Sequence, residues 1–301
     1  MSEISFRLEP NETITIDGGR SLAKVQTAYQ HVEIIELPNL GETIFIDGVP
    51  QISAADAVMF NEVVAHAPLC AIESPTVVFL AGVASGGAVG EILKHPSVET
   101  IYAVDIDREA MEFLAKYLSF SSFALLSNPK VTLVYDDARK VLSEIIKDRA
   151  IDAIIVDVPD PLIGAPSQQL FTREFYALAR RKLNNGGALL TQSGRFRLGA
   201  MSYHAGIRAA CDCTFNGLKT YHFYYPCYYE PWSFLLCNKE GTAFPTKEYI
   251  DQTLANRNIT DLRFYGGEID QSISRIPAIL AKEVNLRKAD ILRSSVHGGR
   301  V

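Results

Sequence analysis

Residues 76–93 read TVVFLAGVASGGAVGEIL and combine three local signals in one short stretch. The run TVVFLA is rich in β-branched and aromatic residues, which is typical of a buried strand. Gly82 ends this strand, Gly86 and Gly87 follow in the turn, and SGGAVGEILKH favours a helix. Backbone N–H groups at such a strand-to-helix turn can face a ligand. Because tight turns also use glycine for conformation alone, the turn predicts a βαβ unit more firmly than it predicts a binding site.

The same strand-then-helix pattern recurs downstream. The pairs are ETIYAVDID with REAMEFLAKYLSF, KVTLVYDDA with RKVLSEIIK, and IDAIIVD with TREFYALARRKL. GGALLTQSG adds a fifth strand, and the segment TYHFYYPCYYEPWSFLLCNK predicts one or two late strands joined by an aromatic loop. Strands that alternate with helices of this length predict an α/β fold with a parallel sheet and right-handed crossovers.

The first part of the chain has a different character. AKVQTAYQHVEIIELPNLGETIFIDGVPQIS alternates short β-rich runs with turn signals, which indicates hairpins. AADAVMFNEVVAHAPL then predicts a helix, with Ser53 as its N-cap and Pro68 closing it. We therefore expect an N-terminal β-hairpin domain with a following helix over residues 1–74, a Rossmann-like catalytic domain over 75–290, and a flexible tail over 291–301.

Composition narrows the classes of function. Hydrophobic residues make up 48% of the 301 residues and charged residues 21%, as in ordinary globular proteins. The net charge is -6 and the basic residues are scattered, so no nucleic-acid partner is expected. There is no apolar run of transmembrane length and no signal-peptide core, which favours a cytoplasmic protein without a membrane partner. The five cysteines lack regular spacing, so we expect reduced thiols and no metal site.

Acidic residues follow three successive predicted strands. Asp105 ends the second strand, about 20 residues after the glycine turn, which is the spacing at which an acid meets ribose hydroxyls in nucleotide-binding sheets. Asp136 and Asp137 end the third strand, and Asp157 ends the fourth. The carboxyl ends of parallel strands share one edge of the sheet, so these acids predict a nucleoside site. The turn lacks a full GxGxxG pattern, which favours a single adenosyl group over a dinucleotide.

Taken together, the chain resembles the spermidine synthase family of aminopropyltransferases from about residue 29 to about residue 277. The segments that carry the resemblance are IFIDGVPQIS, NEVVAHAPL, EILKHPSVETIYAVDID, DPLIGAPSQQLFTREFY and LRFYGGEID. The resemblance implies a small N-terminal β-domain, a class I methyltransferase-type Rossmann-like domain, and a homodimer or homotetramer. It also implies decarboxylated S-adenosylmethionine as cosubstrate, with no metal.

The resemblance assigns cosubstrate-binding roles to matching positions. Gln30 is expected to contact the cosubstrate, and Asp105 to hold the ribose hydroxyls. Asp137 and Ala138 are expected to meet the adenine. Gly82 belongs to the turn that faces the donor.

A second group of matching positions concerns catalysis and the acceptor. Asp157 matches the family's catalytic acid and Asp160 the acid that anchors the amine acceptor, while Tyr228 matches an acceptor-site tyrosine across a one-residue gap. An aliphatic amine with a pKa of roughly 10.4 is protonated near neutral pH and is then no nucleophile. Asp157 is expected to accept the proton, and Asp160 to position the cation through a charge-assisted hydrogen bond.

The sequence departs from the family pattern in the glycine turn, on the preceding helix and between the two acids, where DVPD replaces the common DSSD or DSTD. Ser85 replaces the aspartate of the usual GGGDGG turn, which in the family holds the ammonium of the aminopropyl group. Without that aspartate, the turn no longer attracts the ammonium of the decarboxylated donor. It also no longer repels the carboxylate of S-adenosylmethionine. On the preceding helix, Phe60 and Asn61 stand where the family has Tyr followed by Gln or His. We assign Phe60 to acceptor binding, and Asn61 and Ser85 to cosubstrate binding.

Three hypotheses follow. The first is an aminopropyltransferase with an unusual donor pocket, acting on a small-molecule amine or polyamine acceptor. The second is a relative that uses S-adenosylmethionine and moves its methyl or its 3-amino-3-carboxypropyl group. The third is a non-catalytic homologue that binds an adenosyl compound or another protein, which the retained acids disfavour. The sequence leaves the identity of the acceptor open.

Overall fold

The computed structural model describes residues 2–9, 11–160 and 166–296, which form a five-stranded sheet, a seven-stranded sheet and their connecting helices. The five-stranded sheet is an antiparallel meander in chain order. Its strands are β1 (Ser2–Glu9), β2 (Glu12–Gln26), β3 (His31–Leu37), β4 (Gly41–Ile46) and β5 (Val49–Ser53).

The two faces of this small sheet bury different partners. Val32, Ile34 and Ile44 lie on one face and pack against the helix at Arg108–Tyr117. Ile35 and Phe45, which alternate with them along the strands, pack on the other face. A period of two residues places neighbouring side chains on opposite faces, so the β-rich N-terminal pattern becomes a sheet that is covered on both sides.

The seven-stranded sheet has the order β11-β12-β10-β9-β6-β7-β8. Its strands are β6 (Val77–Ala81), β7 (Thr100–Asp105), β8 (Val131–Tyr135), β9 (Ile151–Val156), β10 (Leu183–Arg195), β11 (Gly217–Tyr225) and β12 (Glu230–Asn238). The pairings among β6 to β10 are parallel, whereas β12 runs antiparallel to both of its neighbours. The predicted parallel sheet is confirmed, with one antiparallel strand near its edge.

Helices cover both faces of the large sheet. They are α1 (Ala57–Cys70), α2 (Gly87–Leu93), α3 (Arg108–Tyr117), α4 (Ala138–Glu144), α5 (Arg173–Lys182), α6 (Ser202–Asp212), α7 (Lys247–Asn256), α8 (Gly267–Ile273) and α9 (Ala278–Val296). Within β6, Val78 and Leu80 pack with the α1 and α2 core, while Phe79 and Ala81 pack with α4, α5 and α6. A strand that is buried on both faces explains the continuous apolar run at residues 77–81.

The start and end of α1 differ from the expectation. Ser53 ends β5 rather than capping the helix, and Asp56 occupies the N-cap position. The Ser53 backbone N–H and hydroxyl both donate to Asp56 Oδ1, at 3.0 and 2.7 Å. Pro68 lies within the last turn and the helix continues to Cys70. A proline near a helix end removes one backbone hydrogen bond, and the buried final turn tolerates that loss here.

The buried Glu62 of α1 connects two segments that the sequence resemblance singled out. Its carboxylate accepts the backbone N–H groups of Arg263, Phe264 and Tyr265 at 2.7–2.9 Å. A carboxylate with three backbone donors is a strong local anchor, so Glu62 fixes the LRFYGGEID segment against α1.

The C-terminal region corrects one boundary. Helix α9 runs to Val296, so residues 291–296 of the segment expected to be a flexible tail are helical, and residues 297–301 lie outside the described residues. No helix in the described part of the chain is long and apolar enough to span a membrane.

Candidate active site

The order of strands in the large sheet reverses between β6 and β9, and this is where α/β sheets open a crevice for ligands. Gly82 follows β6 and Asp157 follows β9. The Asp157 backbone N–H donates to Ala81 O at 2.8 Å, which holds the two strand ends together. Gly82 has φ 87°, and a Cβ at this position would lie 1.9 Å from Asp157 O. Glycine is therefore required by both the backbone conformation and the close approach.

A cavity of about 300 Å³ opens over these strand ends. The five-stranded sheet supplies one wall and the large sheet the other. Seven residues predicted to belong to the site line this cavity, namely Gln30, Gly82, Asp105, Asp137, Ala138, Asp157 and Asp160. The structure thus brings together the acids at three strand ends, the glycine turn and one residue of the N-terminal domain. The topology of the sheet leads one to expect this grouping of the strand ends.

Asp105 is held firmly at the end of β7. Its carboxylate accepts the backbone N–H groups of Val83 and Asp107, each at 3.0 Å. Burial raises the pKa of Asp105, and the backbone hydrogen bonds oppose that rise. The carboxylate links the glycine turn to the start of α3, so it faces the cavity in a fixed orientation.

Asp137 occupies the N-cap position of α4. Its Oδ1 accepts the backbone N–H groups of Arg139 and Lys140, at 2.7 and 3.1 Å. The adjacent Ala138 is buried and presents a small apolar surface to the cavity. Asp136 points away from the site and pairs with Lys140 at 2.7 Å. This end of the cavity combines a polar cap with an apolar wall, which suits the edge and the face of a nucleobase.

Asp157 has the environment of a general base. Burial, with a smaller contribution from the nearby Asp105, raises the pKa of Asp157 to about 7. The side-chain amide of Gln192 donates to Asp157 Oδ1 at 2.8 Å and opposes the rise. A carboxylate whose pKa lies near neutral pH can accept a proton efficiently at that pH.

Gln192 was missed in the sequence analysis. It lies at the end of the parallel part of β10, next to Asp157, because Thr191 pairs with Val156 in the register of the two strands. Its Oε1 accepts the indole N–H of Trp232 at 2.9 Å, which fixes the orientation of the amide. The rule that polar residues at strand ends share one edge places Gln192 near the site, whereas its bond to Asp157 depends on the register of β9 and β10.

Asp160 lies in the segment that leads from β9, and burial raises its pKa to about 6. Arg195 opposes this shift and Glu230 adds to it, so both charges lie near the carboxyl group. The Ser167 hydroxyl donates to Asp160 O at 3.1 Å and ties the segment to the 3-10 helix at Pro166–Phe171. Residues 161–165 lie outside the described residues.

The N-terminal domain is joined to the site through Asp107, a second residue that the sequence analysis missed. The Thr27 hydroxyl and the Gln30 amide donate to Asp107 Oδ2, at 2.6 and 3.1 Å. Asp107 Oδ1 accepts the backbone N–H of Ala110 and caps α3. An aspartate immediately before a helix is a recognisable N-cap. Its bond to Gln30 depends on how the two sheets pack, and local sequence does not reveal it.

Two of the predicted site residues support the turn without lining the cavity. Ser85 is only 3% exposed, and its carbonyl accepts the Ser122 N–H at 2.8 Å, while the neighbouring Ala84 lines the cavity. The Asn61 amide packs so closely on the turn that a Cβ at Gly87 would lie 2.1 Å from its Nδ2. A larger residue at position 87 would therefore require the Asn61 amide to move.

Phe60 and Tyr228 belong to an aromatic cluster beside the cavity. The Phe60 ring lies 5.3 Å from Tyr225 and 5.1 Å from Phe234, and the Tyr228 ring lies 4.4 Å from Trp232. Burial raises the pKa of Tyr228, with Asp160 and Asp157 among the nearby charges that add to it. Tyr228 therefore lies close to both acids, whereas Phe60 packs in the apolar core.

The chain matches the family model of the spermine/spermidine synthase domain over residues 57–248. It is 34% identical over 261 residues to polyamine aminopropyltransferase 2 of Hyperthermus butylicus, covering 86% of this chain and 84% of that protein. It is 32% identical over 289 residues to spermidine synthase 1 of Hyoscyamus niger, covering 94% of this chain and 89% of that protein.

The fold is also similar to solved structures. A spermidine synthase in complex with the transition state analogue AdoDATO superposes with a TM-score of 0.83 over 92% of each chain, at 24% identity. The spermidine synthase from Thermotoga maritima gives a TM-score of 0.82 at 24% identity, covering 92% of this chain and 91% of that chain. The family and fold predicted from the sequence are confirmed, and the chain belongs to the spermine/spermidine synthase family.

Proposed function

We propose that the protein is an aminopropyltransferase that moves the aminopropyl group of decarboxylated S-adenosylmethionine to a small amine or polyamine. The observation that carries this proposal is the buried Asp157, whose pKa is raised to about 7 and which faces a cavity lined by Asp105 and Asp137. A nucleoside-binding half and a proton acceptor share one cavity, as transfer from an adenosyl sulfonium to an amine requires.

In the proposed reaction, Asp105 accepts hydrogen bonds from the ribose hydroxyls and the Asp137–Ala138 corner receives the adenine. The amine lone pair attacks the aminopropyl carbon next to the sulfonium, and a C–N bond forms as the C–S bond breaks. The electron pair of the broken bond stays on sulfur, which becomes a neutral thioether. Asp157 takes the proton of the attacking amine. Holding both reactants in line contributes several kcal/mol, roughly, to the acceleration.

The acceptor is proposed to lie toward Asp160. Its carboxylate, together with the ring of Tyr228, suits a cationic alkyl-ammonium chain, because an acid supplies a charge-assisted bond and an aromatic face attracts a cation. The second amine of a diamine would then be held while the first faces Asp157.

Ser85 favours a second candidate, in which intact S-adenosylmethionine is the donor and its methyl or 3-amino-3-carboxypropyl group is moved. Serine at position 85 lacks the negative charge that the family's aspartate places beside the ammonium of the aminopropyl group. Asp157 remains in the cavity and can attract the ammonium of the decarboxylated donor in its place. For this reason we retain aminopropyl transfer as the first candidate.

The test is a product assay with each donor in turn. The purified protein is incubated with decarboxylated S-adenosylmethionine or S-adenosylmethionine and a series of linear diamines and polyamines, and the products are identified by mass spectrometry. Aminopropylated amine and methylthioadenosine from the decarboxylated donor, lost in Asp157→Asn, would support the proposal. Methylated or aminocarboxypropylated products, or none with either donor, would contradict it.

We also propose a homodimer or homotetramer located in the cytoplasm, in line with the family resemblance. Ile279 and Leu286 of α9 are 60% and 59% exposed, and an interface between copies would cover such side chains. Light scattering after size-exclusion chromatography measures the assembly, and cell fractionation measures the location. A monomer at micromolar concentration would contradict the first part.

A further inference from the structure

A second cavity lies at the opposite edge of the large sheet from the candidate active site. Asp157 follows the carboxyl end of β9, whereas this cavity borders the segment that precedes β9. The six residues of β9 separate the two regions by roughly 20 Å at about 3.3 Å per residue. The cavity measures about 250 Å³ and is lined by Asp148, Arg149, Arg180, Arg181 and Lys239.

Three separate segments deliver the positive charges to this cavity. Arg180 and Arg181 lie in the last turn of α5, where they also complement the helix dipole. Arg149 comes from the loop before β9, and its backbone N–H donates to Arg181 O at 3.1 Å. Lys239 follows β12, and its carbonyl accepts from Arg180 Nη2 at 3.4 Å. The backbone contacts hold the segments together even though their side chains repel one another.

The acids near the cavity leave this charge largely unbalanced. Asp148 is the carboxylate that lines it, and its Oδ1 pairs with Lys182 Nζ at 3.1 Å. Glu240, the next residue after Lys239, is exposed. Lys239 is itself only 7% exposed, and burial lowers its pKa. Arg149 and Arg180 add to this lowering, while Glu240 and Asp148 oppose it without reversing it.

Donor groups of two residues that line the cavity, Arg180 and Lys239, are also unsatisfied. Lys239 Nζ donates to Leu183 O at 2.6 Å, which leaves further N–H groups of the ammonium. The Nε of Arg180 is buried, and no acceptor among the described residues lies within hydrogen-bonding distance of it. A buried cationic donor without an acceptor is costly, and an anion in the cavity would supply the missing partner.

From this arrangement we propose that the pocket formed by Arg149, Arg180, Arg181 and Lys239 is a binding site for a small phosphate-bearing anion. A phosphate group offers at least three acceptor oxygens and close to two negative charges, which matches donors that converge from three segments better than a carboxylate does. Guanidinium groups suit phosphate geometry in particular. The volume lies just below the range of typical small-molecule pockets, roughly 300–1,000 Å³, which fits an inorganic or a small organic phosphate.

The proposal is tested by calorimetric titration of the full chain with pyrophosphate, inorganic phosphate and glycerol phosphate, at matched ionic strength with chloride as the reference anion. Saturable binding of at least one of them is expected, and the comparison distinguishes inorganic from organic phosphate. Arg149→Gln and Arg181→Gln, both at exposed positions, should each weaken binding about tenfold, as expected for loss of one charge-assisted contact.

The matched control is Arg173→Gln, which removes the same charge from the other end of α5. It should change the affinity by less than about twofold, because a charge more than a Debye length from the ligand is largely screened. No saturable binding of any of the three anions would overturn the proposal. If Arg173→Gln weakened binding as much as Arg149→Gln and Arg181→Gln, the proposal would be overturned as well, since binding would then depend on the net charge of the protein and not on this pocket.

Discussion

The Gln192 amide bridges Trp232 and Asp157, donating to the Asp157 carboxylate at 2.8 Å while accepting the indole N–H at 2.9 Å. The two bonds fix which end of the amide faces the acid. Gln192 therefore orients Asp157 and opposes the rise in its pKa that burial causes. It acts as a positioning residue for the proposed proton acceptor.

Replacing Gln192 with Leu should lower kcat/KM by about 10- to 100-fold and raise the apparent pKa of the pH–rate profile, since the carboxylate loses a hydrogen bond that favours its charged form. The measurement is kcat/KM as a function of pH for both proteins. Trp232→Phe keeps the amide but removes its indole partner, and should give a smaller effect in the same direction. An unchanged apparent pKa in Gln192→Leu would contradict the positioning role.

The activity should depend on pH through Asp157. Because its pKa is about 7 and the reaction needs the carboxylate form, kcat/KM should rise as pH increases through about 7. Deprotonation of the amine, with a pKa of roughly 10.4, should extend the rise at higher pH. Initial rates between acidic and alkaline pH give the profile. A rate that is constant on both sides of neutrality would show that Asp157 is not the proton acceptor.

Asp157 should also reduce the stability of the fold at high pH. The pKa of Asp157 is higher in the folded state than in the unfolded chain. As the pH rises, the unfolded chain therefore loses this proton first, and the free energy of unfolding falls between roughly pH 4 and pH 7. Asp157→Asn removes the buried charge and should stabilise the fold by roughly 1–3 kcal/mol at pH 8, with little change near pH 4. Urea denaturation at both pH values checks this. A variant that is equally destabilised at both would refute the explanation.

The charge at residue 85 should influence donor preference from behind the cavity wall, because Ser85 is buried next to the cavity-lining Ala84. Ser85→Asp restores a carboxylate at the turn and should shift the ratio of affinities toward the decarboxylated donor by about tenfold, because the new charge attracts the ammonium and repels the carboxylate of S-adenosylmethionine. Calorimetric binding of both donors measures the ratio. Ser85→Asn has a similar size without the charge and serves as the control. If Asn shifts the ratio as much as Asp, shape rather than charge determines the preference.

The contact between Thr27 and Asp107 should stabilise the packing of the two sheets. Thr27→Val removes the hydroxyl that donates to Asp107 and accepts the backbone N–H groups of Tyr29 and Gln30. The expected loss is about 1–3 kcal/mol of unfolding free energy, together with weaker donor binding because Gln30 loses its support. Thr15→Val on the exposed hairpin should cost less than about 0.5 kcal/mol. Equal effects of the two substitutions in urea denaturation would exclude a special role for Thr27.

The sequence by itself determined the fold class, the family and much of the site. Strand–helix alternation predicts a parallel sheet, and the carboxyl ends of parallel strands meet at one edge, so the sequence alone groups Asp105, Asp137 and Asp157. Gly82 could be placed on the same edge, although the need for glycine there became clear from its approach to Asp157 O.

The tertiary structure decided which other side chains reach the acids. Gln192 contacts Asp157 because β10 pairs with β9 in one register, and Gln30 contacts Asp107 because two sheets pack together. Ser85 lies behind the cavity wall because of the backbone path of the turn, in which Ala84 has φ 43°. Each outcome depends on contacts between residues far apart in the chain or on backbone angles. Local hydrophobic periodicity carries no information about either.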